Sequence, residues 1–220
     1  MLVKDYMTRH PLMAEPDMTI VEAQRYMGEN NIRHLPVVGD GKRLLGLVTR
    51  QSLLVDPGRL GSLDVWEIAR TLSGLTVQDV MVKVKDVIAV EPDITIEEAA
   101  CVMVENKIGC LPVLDGDAPG IVVGIITEID LLAHLMEMMA SRTTGVRVTV
   151  RQPNVAGELA KMVSAIAAHG WGIRALGGAP TPKDPTKWDA VVKISGVPKD
   201  EIVATLGRVE GQQIVDVREV

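Results

Sequence analysis

Short aliphatic runs alternate along this chain with stretches whose apolar residues recur every three to four positions, and the alternation occurs twice in the same order. Leu35-Pro-Val-Val38 and Leu111-Pro-Val-Leu114 read as strands, as do residues 44–48 and 121–126. Ile96, Ala99, Ala100, Met103 and Val104 fall at helical spacing, preceded by Thr95 with Glu98 three residues on. Thr19 and Glu22 stand in the same relation in the first half. That spacing predicts a capping box, in which the Thr hydroxyl accepts from the N3 amide and the carboxylate reaches back to the N-cap amide. Each unit is therefore predicted to run β-α-β-β-α, beginning with an extended piece at Leu12-Met-Ala14 or Val87-Ile-Ala89.

The residues themselves repeat. Val3-Lys-Asp5-Tyr-Met7 matches Val77-Gln-Asp79-Val-Met81, and Glu15-Pro-Asp-Met-Thr19 matches Glu91-Pro-Asp-Ile-Thr95. Ile32-Arg-His-Leu-Pro-Val37 matches Ile108-Gly-Cys-Leu-Pro-Val113, and Gly46-Leu-Val-Thr49 matches Gly124-Ile-Ile-Thr127. The extra residues of the second copy fall in expected loops, as two copies of one folded unit require. The organisation expected is one repeat over 1–60, a linker helix over 61–74 (Trp66, Ile68, Ala69 and Leu72 on one face), a second repeat over 75–140, and a separate domain over 145–220.

The two strand-to-helix corners carry the candidate chemistry. A strand running into a helix N-terminus presents amide donors and the positive end of the dipole, which suit a phosphate or a sugar hydroxyl. Asp130, three residues past Thr127, has the reach to accept from a ribose diol; its plain structural reading is a capping box with Thr127. Ser52 holds the equivalent position after Thr49. The second helix of copy two continues through Leu131-Leu-Ala-His-Leu-Met-Glu-Met-Met139, a stripe read as core or dimer interface.

Beyond residue 141 the order is strand (146–150), helix (158–169), strand (173–176), loop (177–185), strand (188–195), helix (198–206, capped near Ser195 or Asp200) and strand (214–218). This is the ferredoxin-like split βαβ order.

Composition narrows the function classes. A formal charge of −6, with aromatics at 2% and no Phe, argues against a nucleic-acid surface, which needs a basic patch and stacking rings. No apolar run approaches the roughly 18 residues of a membrane span, and the N-terminus lacks a basic region followed by an apolar one. The two cysteines imply no disulfide framework, so reduced thiols in a cytoplasmic setting are expected, with Cys101 in a helix core. No nucleophile elbow, phosphate-binding P-loop, zinc-protease helix or Cys-x-x-Cys occurs, and the four histidines show no ligand spacing; no catalytic or metal residue is assigned.

The paired Ile-x-x-Leu-Pro-Val and Gly-h-h-Thr-x-x-Asp stretches (h, aliphatic) resemble a tandem pair of CBS domains, a Bateman module, over roughly residues 1–138. The Asn154-Val-Ala-Gly157-Glu-Leu159 turn and the Gly170-Trp-Gly-Ile173 step are similar to an ACT domain. The combined order resembles the bacterial CBS–ACT proteins of the acetoin-utilisation B type. The resemblance implies an α/β (α+β) chain: a pseudo-two-fold CBS pair plus a C-terminal βαββαβ domain. It implies a non-enzymatic sensor that binds AMP, ADP, ATP or S-adenosylmethionine between its repeats. One site would use Thr127 and Asp130 for phosphate and ribose, Leu12 and Ile32 against the base, and Arg33 and His34 near phosphate. The weaker second site would use Thr49, Ser52, Val87, Ile88 and Cys110, because serine forfeits the charged grip on the diol. Asn154, Gly157 and Ile173 would close an amino-acid site at an ACT–ACT interface, and a homodimer regulating another protein is expected. The competing reading is a constitutive assembly module with vestigial sites. Arg33 then becomes a solvated edge charge, His34 a structural histidine, Cys110 a small apolar filler and Asn154 a turn residue.

Overall fold

Thr19 and Thr95 open equivalent helices in the computed structural model, which describes residues 1–53 and 74–220. Each forms a complete capping box. The Thr19 amide and hydroxyl donate to Glu22 Oε2 at 3.0 and 2.7 Å, and those of Thr95 donate to Glu98 Oε2 at 2.8 and 2.8 Å. These bonds hold both glutamates below the usual carboxylate range, the Thr19 hydroxyl contributing most for Glu22 and the Thr95 amide most for Glu98. The helices they start are α2 (Ile20–Glu29) and α4 (Ile96–Asn106).

The described residues fall into two units, Met1–Leu131 and Leu132–Val220. The first holds two three-stranded antiparallel sheets. One contains β2 (His34–Val38), β3 (Leu44–Thr49) and β4 (Val82–Lys83). The other contains β5 (Cys110–Leu114), β6 (Val122–Thr127) and β1 (Thr8–Arg9). The extended pieces join each sheet through single parallel bridges, Ala14 to Val37 and Val90 to Val113.

The repeats exchange their leading segments. The short helix α1 (Val3–Tyr6) and strand β1 precede the first repeat in sequence, yet β1 pairs with β6 of the second, Thr8 opposite Ile125 and Arg9 opposite Gly124. Reciprocally, α3 (Val77–Val80) and β4 belong to the first repeat's sheet, Gly46 opposite Lys83. Val3, fully buried, sits in the second core with Ala99, Met103, Leu111, Val113 and Ile126. Val77, also fully buried, sits in the first with Ile20, Ala23, Met27, Leu35, Val37 and Val48. Each core thus closes only when the other repeat's hook is in place.

After Thr49 a turn over residues 50–53 buries Leu53, and the linker helix expected over 61–74, including Trp66, lies outside the described residues except for Gly74. In α4 the buried face is Ile96, Ala99 and Met103. Cys101, two residues from both Ala99 and Met103, projects to the opposite side and is exposed. Its expected place in the core is overturned by helical geometry. Val104 is likewise 76% exposed. The stripe on α5 (Glu128–Met138) is not core: Leu132, Leu135, Met136 and Met138 are about half exposed. No helix among the described residues is long and apolar enough to cross a membrane.

The second unit is a four-stranded antiparallel sheet of ferredoxin-like order, β10-β7-β9-β8, with both helices packed on one face. Its elements are β7 (Val146–Pro153), α6 (Glu158–Ala168), β8 (Ile173–Thr181), β9 (Asp184–Ile194), α7 (Lys199–Leu206) and β10 (Gln213–Glu219). Val148, Val150, Met162, Ile166, Ala190, Val192, Ile194, Ile202 and Leu206 fill the core. The loop expected over 177–185 is mostly strand. A Cβ at Gly178 would meet the Trp188 indole and lie 2.8 Å from Asp189 O, so glycine there lets β8 and β9 run close together. Asp189 accepts from Arg151 at 2.7 and 2.9 Å and from the Thr181 hydroxyl at 2.9 Å. The expected side-chain caps of α7 do not form; Pro198 stands at its N-cap, where its fixed φ suits the chain entering a helix.

Candidate functional site

The two corners face each other across the first unit, and a cleft lies on each side. The first, about 520 Å³, is lined by Leu12, Ile32, Arg33, His34, Thr127 and Asp130, all six residues the sequence assigned to one site. Thr8, His10, Asn31, Arg50 and Ile129 are also on its wall. The second, about 440 Å³, is lined by Thr49, Val87, Ile88 and Cys110, with Arg33, His34 and Arg50 again and with Asp86, Lys107 and Glu128. Ser52 is not on its wall.

The corners explain that difference. At the second, Thr127 N and Oγ1 donate to Asp130 Oδ2 at 2.8 and 2.7 Å, while Asp130 N donates back to Thr127 Oγ1 at 3.4 Å. The capping box therefore occupies one carboxylate oxygen and leaves Oδ1 without a hydrogen bond among the described residues. At the first, Ser52 Oγ accepts from Thr49 N at 2.9 Å and donates to Thr49 O at 3.0 Å, and Ser52 N donates to Thr49 Oγ1 at 3.1 Å. The serine hydroxyl is spent inside its own turn.

Backbone donors at the corners are also largely committed. Glu128 N donates to Gly109 O at 3.0 Å and Arg50 N to Arg33 O at 3.2 Å. The amides of Glu128 and Arg50 are thus taken up by the protein, and the side chains of Arg33, Arg50 and His10 in the cleft wall are the groups suited to an anion. His10 and Asn31 both adopt left-handed backbone, φ 49° and 51°; Asn31 does so in the turn that ends α2, as Lys107 does at φ 55° after α4. His10 lies outside the stretches that repeat, and Arg50, though it follows Thr49 within one, stands opposite Glu128 in the other copy, so the repeat gives it no shared role.

Burial pushes the His34 imidazolium pKa down, Arg33 pushes it further, and Glu128 opposes both. Cys110 is buried, and burial first, then Glu128, pushes its thiol up to about 12. Only the thiolate attacks an alkylating agent. Iodoacetamide on the native protein at neutral pH is therefore expected to label Cys101 alone, with Cys110 at least about a hundredfold slower until denaturant is added. Peptide mapping after timed quenching reads both rates; equal labelling would contradict the burial of Cys110.

In the second unit Asn154 Nδ2 donates to Pro185 O at 3.1 Å and Gly157 takes φ 92° at the start of α6. Ile173 lies at the other end of the sheet, on Ile194, whose β7 partner is Val146. Pro153, beside Asn154, is seven residues along β7 from Val146, about 23 Å at strand rise. Within one chain, Ile173 does not come near the Asn154–Gly157 turn.

Comparison with known proteins bears on the first unit. A Methanocaldococcus jannaschii protein without assigned function, MJ1225, is 31% identical over 135 residues, covering 60% of this chain and 46% of that one. The chain thus spans about half of that relative's length. Among solved structures, a Vibrio cholerae protein assigned to acetoin utilization, AcuB, matches with TM-score 0.53 and 32% identity, over 64% of this chain and 95% of that one. CBSX2 in complex with AMP matches with TM-score 0.51 and 29% identity, over 61% and 96%. The CBS domain model matches residues 3–55 and 77–137, the two repeats and their exchanged hooks together, and the chain belongs to the CBS domain family.

Proposed function

We propose that the protein is a regulatory sensor that holds an adenosine-containing nucleotide in the cleft of Thr127 and Asp130. The observation that carries this reading is the juxtaposition at that cleft of a carboxylate oxygen with no hydrogen bond among the described residues and two guanidiniums, Arg33 and Arg50. Asp130 Oδ1 is suited to a ribose diol, the arginines to phosphate, and Leu12 and Ile32 to the face of a base. The AMP complex of a neighbour with the same fold supports the ligand class. The cleft of Thr49, Val87, Ile88 and Cys110 takes the same ligand more weakly, because Ser52 brings no carboxylate and lies off its wall.

The C-terminal unit, with its ACT-like order, is proposed to bind an amino acid between two copies, the Asn154–Gly157 turn of one facing Ile173 of the other. The apolar face of α5 is proposed as a contact between copies in a homodimer, and the setting as cytoplasmic. Ligand binding shifts the sensor only by its differential affinity for two arrangements.

A thermal-shift panel of AMP, ADP, ATP, S-adenosylmethionine and amino acids tests the reading. A ligand at 100 times its Kd raises stability by about 2.7 kcal/mol. A rise with at least one adenosine ligand is expected, and a flat response to every adenosine ligand would leave an assembly module instead.

A further inference from the structure

Corresponding residues of the two repeats flank the two clefts, but their charges differ. Arg33 corresponds to Gly109 and Arg50 to Glu128, and within each repeat the later amide donates to the earlier carbonyl, Arg50 N to Arg33 O and Glu128 N to Gly109 O. The first repeat therefore contributes two guanidiniums to the space between the lobes, and the second contributes a glycine and a carboxylate. A Cβ at position 109 would lie 3.3 Å from Glu128 Oε2, so glycine leaves the carboxylate room beside it. Glu128 Oε1 meets Arg33 Nη2 across the lobes at 3.1 Å. Arg33, His34 and Arg50 line both clefts, whereas Glu128, Asp86 and Lys107 line only the second.

We propose that the Arg33–Glu128 pair is a latch through which an anionic nucleotide in the Asp130 cleft denies the second cleft to another. The proposal rests on the nucleotide reading above and adds its regulation. A phosphate in the first cleft draws Arg33 away from Glu128. Both side chains are about half exposed, 45% and 49%, so the pair opens at little cost. Glu128, released, stays on the wall of the second cleft beside Asp86. Two carboxylates then face any second phosphate, and Arg33, which offset them together with Arg50 and Lys107, is engaged elsewhere. One guanidinium cannot serve both clefts, so the two binding events oppose each other. A neutral nucleoside makes no claim on Arg33 and escapes the effect.

Titration calorimetry of the full chain with AMP and with adenosine, on the parent and on Glu128→Gln, tests the latch. Position 128 is an exposed helical site, so the substitution leaves the fold in place. In the parent, AMP is expected to fill one cleft, the second binding roughly tenfold or more weakly than it does in Glu128→Gln, a coupling within the usual range. With adenosine, the second-cleft affinities of the two proteins are expected to agree. Equal second-site AMP affinity in parent and variant overturns the latch while leaving the nucleotide site standing. No AMP binding by the parent overturns both.

Discussion

Asp130→Ala is expected to weaken AMP binding about tenfold to a hundredfold, the equivalent of one charge-assisted pair to a ribose diol at about 1.5–3 kcal/mol. The same substitution removes the carboxylate that closes the Thr127 capping box, at about 1 kcal/mol of stability. The two losses are separable. Asp130→Asn keeps an oxygen able to accept from the Thr127 amide and hydroxyl, now 2.8 and 2.7 Å from Asp130 Oδ2, but removes the charge. Its melting point is expected to stay near that of the parent while its AMP affinity stays low. Calorimetric titration beside thermal melting reads both quantities. Parent-like affinity in the Asn and Ala variants alike would reduce Asp130 to a cap and remove the ground for a nucleotide in this cleft.

Legibility from sequence follows the range of the interaction. The capping boxes at Thr19, Thr95 and Thr127 depend on residues three apart, so spacing alone predicts them. The strands around Leu35-Pro-Val and Leu111-Pro-Val are legible because continuous aliphatic runs have few other places to go. The exchange of hooks is not. Val3 and Val77 are the same residue in matching surroundings, so sequence gives no reason for either to enter the other repeat's core. Cys101 is apolar enough for a core, but Ala99 and Met103 define the buried face of α4, and residue 101 falls outside it. Leu132, Leu135 and Met138 on α5 are apolar by type and still face outward, because composition does not say which face of a helix finds a neighbour. At the clefts, Leu12, Ile32, Arg33 and Asp130 stand at motif positions and Arg50 follows one, whereas the place of His10 and the pairing of Arg33 with Glu128 arise where one repeat meets the other. No local period reports such a meeting.

The glycines of the two corners gain a different meaning from the exchange. Gly46 and Gly124 open the stretches that end in Thr49 and Thr127, and each lies where the other repeat's hook crosses the strand. A Cβ at Gly46 would stand 2.5 Å from both the Val82 carbonyl oxygen and Met81 Sδ. At Gly124 it would press on the Met7 thioether and lie 3.2 Å from Thr8 O. A methionine side chain can yield; a strand carbonyl held in the Gly46–Lys83 pairing cannot without loosening β4. Gly46→Ala is therefore expected to cost about 3 kcal/mol, the upper part of the overpacking range, and Gly124→Ala about 1–2 kcal/mol. At about 3–5 °C per kcal/mol for a unit of this size, Gly46→Ala should lower Tm by about 10 °C or more. Gly28 supplies the opposite sign: within α2, exposed, with nothing within 4 Å of its missing Cβ. Gly28→Ala is expected to raise stability by about 0.5–1 kcal/mol through helix propensity and a less flexible unfolded chain. Melting the three variants side by side checks the ordering. If Gly46→Ala melted with the parent, β4 could not lie against β3 as described, and the reciprocal closure of the two cores would have to be abandoned.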